Sequence, residues 1–200
     1  MTHQIKYNLS NSLVGKVLIS SPSMPDNRFY KSVILLTKYT SSGYVGIVLN
    51  KVSAHTFSHI LKSIVADANA VHIEKNPNTT VVLGGPMHLA HLFVVHSNDY
   101  SIETTEKIKT DIYITNSTEV LIDMSKGCGP VDSIISIGCV TWTAGQLEEE
   151  LKGQSWFIGD CDASIFQVKI ENRYDVLAQQ LGLGTMKNAA YFYEYTGNKK

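Results

Sequence analysis

Residues 134–158, IISIGCVTWTAGQLEEELKGQSWFI, constrain this chain most, because they join a buried strand to a helix within a few positions. The β-branched run Ile134-Ile135-Ser136-Ile137, bounded by Gly138, predicts a strand. A short helix is predicted directly after it. Thr143 stands where an N-cap belongs, and Gln146 three residues on completes a capping box. Trp142 and Leu147 are spaced as a hydrophobic staple across that cap. Glu148, Glu149 and Glu150 suit the positive end of the helix dipole, Lys152 the negative end, and Gly153 can close the helix. Trp156-Phe157-Ile158 predicts another short strand. The stretch specifies a joint between sheet and helix and contains no recognisable catalytic constellation.

The same signals order the rest of the chain. Strands are predicted over 13–20, 31–39, 44–49, 81–83, 92–95, 112–114 and 163–170, with a hairpin at Ser41-Ser42-Gly43. Pro, Ser and Asp make 20–27 a loop, and 99–109 reads as exposed loop. Ser53 is placed to cap a helix with Phe57, Ile60, Leu61, Ile64, Val65 and Ala68 on one face. Asn116 or Ser117 opens a second helix carrying Val120, Leu121 and Met124, stopped by Gly127. Asn172 opens a third with Tyr174, Leu177, Ala178 and Leu181, closed by Gly182. A marginal helix is conceivable around Met186, Ala189, Ala190 and Tyr193. Strands and helices mix without a βαβ rhythm, so the class is α+β. No linker divides the chain, and one domain over 1–200 is expected.

Charge narrows the function. Seventeen basic and eighteen acidic residues leave a formal charge of −1, with no run of three basic residues. Direct nucleic-acid binding is therefore disfavoured, as is an anionic membrane surface. No window approaches a membrane span, and the first residues lack a signal-peptide core. Cys128, Cys139 and Cys161 are odd in number without CxxC spacing, which argues for a reducing, cytoplasmic setting.

Four blocks then resemble the AlgH/YqgE-like family of bacterial proteins. They are Leu13-Val14-Gly15 with Ser20 to Phe29, and Gly46-Ile47-Val48-Leu49-Asn50. The others are Gly84-Gly85-Pro86 with Val94-Val95-His96, and the Gly138…Trp142-Thr143-Ala144-Gly145-Gln146-Leu147-Glu148 block with Trp156. They stand in the family's order from about 13 to 182, leaving 183–200 as a divergent tail. The resemblance implies a mixed, bifurcated β-sheet with a small barrel-like part, covered by helices. It also carries the label of transcriptional regulator, which derives from a link to alginate control and not from a DNA-binding surface. Asn27 replaces a usual Pro, Lys38-Tyr39 an acidic residue and His, and His91 a common Arg.

Candidate chemistry is sparse. His88, His91 and His96 are close in sequence, but His91 and His96 have opposite parity on a strand and no carboxylate lies among them. No metal site or other cofactor is expected, and His96 reads as a hydrogen-bonded strand-end residue. Cys128, beyond a helix C-terminus, is the most accessible thiol in prospect, yet the dipole there disfavours a thiolate. Cys139 reads as core. Gly84-Gly85-Pro86 lacks a phosphate-loop pattern, and no GxSxG occurs. No catalytic residue is assigned. Small and polar segments at strand ends could instead lock loops together as buried polar networks, or equally converge on a groove. Its binding residues would be Ser21, Asp26, Asn50, Gly84, Gly85, Trp142 and Gln146, with Trp142 as a wall. The expected function is a binding or regulatory module acting through a protein or small-molecule partner. The alternative is a small hydrolase-like, thiol-dependent or metal-dependent enzyme with a cleft near His96 or Cys128.

Overall fold

The computed structural model describes residues 13–65 and 79–183. The expected connection over 70–80 falls mostly outside them, as do Ala68 and the marginal helix around Met186. Among the described residues nine strands form one sheet: β1 (Lys16–Ser20), β2 (Val33–Thr40), β3 (Gly43–Val48), β4 (Thr79–Leu83), β5 (Met87–His96), β6 (Thr105–Lys107), β7 (Tyr113–Thr115), β8 (Ser133–Thr143) and β9 (Trp156–Asp160). Four helices cover it: α1 (Phe57–Ile64), α2 (Glu119–Ser125), α3 (Gln146–Lys152) and α4 (Arg173–Gln180). The order is β6-β7-β5-β8-β3-β2-β1-β9, antiparallel throughout, with β4 added parallel to β8.

The sheet forks at β8. Its first half pairs with β4 and with the end of β5, and its second half pairs with β3 from Gly43↔Thr143 to Gly46↔Val140. The expected end of this strand at Gly138 is corrected: the strand continues through Gly138, at φ +72, to Thr143. Gly138 acts as an extra residue that shifts the alternation by one. Ile134 and Cys139 belong to one apolar cluster, while Ile135 on one side of Gly138 and Val140 and Trp142 on the other face away from it. An even-numbered inner face becomes odd-numbered. β2 does the same where its register to β3 shifts between Leu36 and Lys38. Ile34, Leu36 and Tyr39 share a face, and Lys38 is turned with Val45 to the opposite one.

Both faces of the central strands are buried, which explains runs such as Val33-Ile34-Leu35-Leu36, all 0% exposed. Val17, Ile19, Val33, Leu35, Ile47 and Leu49 pack inward with Tyr174 and Leu177 of α4. Leu18, Ile34, Leu36 and Val48 pack outward with Trp142, Leu147 and Trp156 under α3. A third cluster joins Ile60 and Leu61 of α1 to Val120, Leu121 and Met124 of α2. The inward curl brings distant strands within side-chain reach of one another. Lys38 of β2 and Glu106 of β6, separated in the sheet by β3, β8, β5 and β7, meet at 2.9 Å.

Several local expectations are corrected. Thr56 caps α1 by accepting from His59 N–H; Ser53 instead belongs to a segment held against β4 through Ser53 N–H to Val81 O. The loop expected over 99–109 contains β6, tied to β7 by Thr105 Oγ1 and Thr115 Oγ1 at 2.8 Å. The strand expected over 163–170 is instead two 3-10 turns, 163–166 and 170–172. Asp162 Oδ1 accepts from Ser164 N–H, and Asp111 Oδ2 from Ala163 N–H, winding the chain where a strand would extend it. Thr143 is not the cap of α3. Gly145 occupies that place, and Gln146 Oε1 accepts from Thr143 N–H, so only the back half of the capping box forms. Gln154, at φ +56, takes the left-handed position after α3 that was expected of Gly153.

Candidate functional site

The sequence-predicted residues divide into two groups. Ser21, Trp142 and Gln146 are brought together around Trp156. Ser21 N–H donates to Ser155 O at 2.9 Å, and the Trp142 and Trp156 rings meet edge to face at 6.1 Å. Both indole N–H groups donate to Glu150 Oε2, at 2.9 and 2.7 Å, and Gln146 Nε2 donates to Glu150 Oε1. Phe29 packs on Trp156 at 5.8 Å. Asp26 lies close to it in sequence, capping the 3-10 turn 27–29 and pairing with Arg28 at 2.7 Å. That guanidinium, donating to Asp26, holds its carboxyl below the usual range.

Asn50, Gly84 and Gly85 lie elsewhere. Asn50 clamps the loop into β2: its Oδ1 accepts from Val33 N–H and its Nδ2 donates to Lys31 O. Gly84 accepts from Val48 N–H and donates to Ile137 O. A Cβ on it would fall 1.7 Å from Ser136 Oγ, so glycine is required by close packing against β8. Trp142 is 3% exposed, and none of the predicted residues lines the cavities described below.

The reactive groups are largely occupied. His96 is fully buried. Its Nδ1 donates to Ser97 O at 2.7 Å, which leaves Nε2 to accept from Thr115 Oγ1 at 2.9 Å in the neutral ring. Burial pushes its pKa down, against the Ser97 carbonyl and Asp99, which favour the charged form. Burial likewise raises the Cys139 thiol and pushes Cys161 up to about 12. Cys128 is exposed, just past α2, with its Sγ toward Lys126 O. His88 and His91 are exposed and their rings lie parallel at 5.5 Å. No group of three or more His, Cys, Asp or Glu side chains suited to a metal occurs among the described residues. Arg173, unremarked in the sequence, is 1% exposed. It donates through Nε to Val168 O and through Nη1 to Leu49 O, tying α4 to the end of β3, and burial pushes it down to about 10.

One cavity, of about 170 Å³, lies between β9 and α4, with Lys109, Asp160, Cys161 and Asp162 at its rim. Those groups are already engaged with one another and with neighbours. Lys109 Nζ donates to Cys161 O at 2.6 Å, Lys16 pairs with Asp160, and Asp162 caps the following turn. Two further pockets share lining residues of β5 and the segment after β7. A pocket of about 80 Å³ is lined by Thr37, Lys38, Val45, Phe93, Thr104, Glu106, Ile114 and Asn116. One of about 280 Å³ is lined by Ala90, His91, Leu92, Phe93, Asn116 and Thr118. Phe93 and Asn116 border both, so the two pockets adjoin as a groove beside β5. Here side chains are uncommitted: Asn116 makes no hydrogen bond among the described residues, and Thr118 makes no capping bond to α2. Sequence reasoning missed this site. Its one advance signal was Lys38, a charge ending an apolar strand, turned into the curl by the β2 bulge.

The chain matches a family model described as AlgH-like over residues 17–185. A UPF0301 protein of Xylella fastidiosa (strain M23) is 32% identical over 188 residues, covering 94% of this chain and 96% of the relative. One from Bradyrhizobium (strain BTAi1) is 34% identical over 186 residues, 89% and 86% of the two chains. The solution structure of the AlgH protein from Pseudomonas aeruginosa superposes with a TM-score of 0.71 at 28% identity, covering 94% of this chain and 95% of that one. A crystal structure of a Corynebacterium diphtheriae protein superposes at 0.63 with 20% identity, over 88% and 90%, a likeness of fold alone.

Proposed function

The chain belongs to the AlgH-like family, and from that premise we infer that it is a cytoplasmic binding and regulatory module that works through a small-molecule or protein partner. Any effect on transcription is then indirect, since charge balance gives no footprint for duplex DNA. The observation that carries this reading is the groove at Phe93 and Asn116, where polar side chains stand uncommitted beside an aromatic ring. Sites of that composition bind ligands. Burial, by contrast, disfavours the charged forms of Cys139, Cys161 and His96, both ring nitrogens of His96 are bonded, and Cys128 lines none of the cavities described above. Three unbridged cysteines fit a reducing compartment. No helix of the described residues is long and apolar enough to cross a membrane.

The test is a metabolite and peptide screen read by amide chemical shifts in the full chain. Binding should move the signals of Phe93, Asn116 and Thr118 together. A screen that moves none of them, alongside a turnover panel that finds an activity lost in His96→Gln or Cys128→Ser, would replace the module with an enzyme.

A further inference from the structure

We propose that the groove beside β5 takes a neutral, flat heterocycle with hydrogen-bonding edges, of the nucleobase or nucleoside class. This rests on the binding reading above and names its ligand. Phe93, half-buried, borders both pockets and packs beside Val45 against the inner apolar cluster, so it brings apolar aromatic surface to the place where the two pockets meet. Aromatic faces hold flat rings by stacking, with little dependence on which base is presented. At the outer end His91, parallel to His88 at 5.5 Å, offers a second flat surface.

The polar groups select for an edge carrying both donors and acceptors. Asn116 has a carbonyl and an amino group free to bond, the pair of functions that matches a base edge, and the Thr118 hydroxyl can do either. The charges select for neutrality. Lys38 is the one Lys or Arg in the lining, and it is neutralised by Glu106 at 2.9 and 3.2 Å. An anionic ligand would have to compete with that carboxylate, and a cationic one with the ammonium. The larger pocket, about 280 Å³, has room for a base with its sugar.

The experiment titrates adenosine, guanosine, cytidine and uridine, and then AMP, into the full chain, followed by amide shifts. At least one nucleoside should move Phe93, Asn116 and Thr118, and bind the wild type at least as tightly as AMP does. Asn116→Ala, which removes an exposed side chain with no internal bond, should weaken the nucleoside about fivefold or more while leaving the thermal midpoint unchanged. Glu106→Gln frees Lys38 and should turn the preference toward AMP. AMP binding the wild type more tightly than every nucleoside overturns the proposal. So does nucleoside binding that ignores Asn116→Ala. If no nucleoside binds but peptides or other metabolites shift the same residues, the ligand class is wrong and the binding reading stands; if nothing shifts them, both fall.

Discussion

At the scale of single residues, two side chains decide more than their neighbours. Trp142 sits 3% exposed between Leu18, Ile34 and Trp156, with its N–H satisfied by Glu150. Trp142→Ala removes this packing and leaves a cavity, so denaturant unfolding should show a loss of about 3–5 kcal/mol. His96 sets a pH dependence. Its folded pKa lies below the unfolded value, about 6.5, because burial penalises the charged ring. The stabilisation is therefore fully present above the unfolded pKa, and is lost as pH falls through it toward the folded value, since the unfolded chain takes up the proton first. Thermal midpoints should fall as pH drops below about 6.5, and the fall should be shallower in His96→Gln.

At the scale of elements, ends were harder to read than middles. The apolar faces of α1, α2 and α4 follow the helical spacing in the sequence, and Leu61, Leu121 and Leu177 are buried as that spacing requires. Their starts do not follow so simply. Ser53 and Thr56 are both acceptable caps, and nothing local separates them. The choice falls to Thr56 because Val52 bridges Val82 and Ser53 bonds Val81, holding that segment extended. At the end of α3 the reverse holds. Ser155 N–H bonds Glu150 O and Gln154 N–H bonds Leu151 O, closing the helix through a left-handed Gln154. Gln154 is exposed, so Gln154→Gly should stabilise the protein by about 1 kcal/mol, read as a raised denaturation midpoint. No change would mean that the side chain makes up for the strained backbone.

At the scale of the whole molecule, the curl of the sheet is what creates a site. Lys38 and Glu106 are about half exposed, and such pairs contribute roughly 0–1 kcal/mol, so their contact marks the curl and does not cause it. The cause lies in the bulges of β2 and β8, which add local twist and re-aim the side chains beyond them. Past the first, Lys38 points into the mouth of the curl beside Val45. Past the second, Trp142 points out beneath α3. The groove at Phe93 exists because β7 pairs with β5 only from Val94 to His96, and Asn116 then leads away into α2.

The sequence by itself determined the α+β class, most strand cores, the buried faces of three helices, and a family whose bifurcated sheet this chain shares. These depend on local apolar spacing and on motifs contiguous in the chain. The loops rich in small and polar residues were legible as well, but not what occupies them. Asn50 spends its amide on Lys31 and Val33, and Gln146 divides its own between Thr143 and Glu150. Only the tertiary structure decided where the uncommitted groups gather. A bulge of one residue exchanges the two faces of a strand, and no local preference records it; Phe93, Asn116, Lys38 and Glu106 come from four separate segments that meet once the sheet has curled.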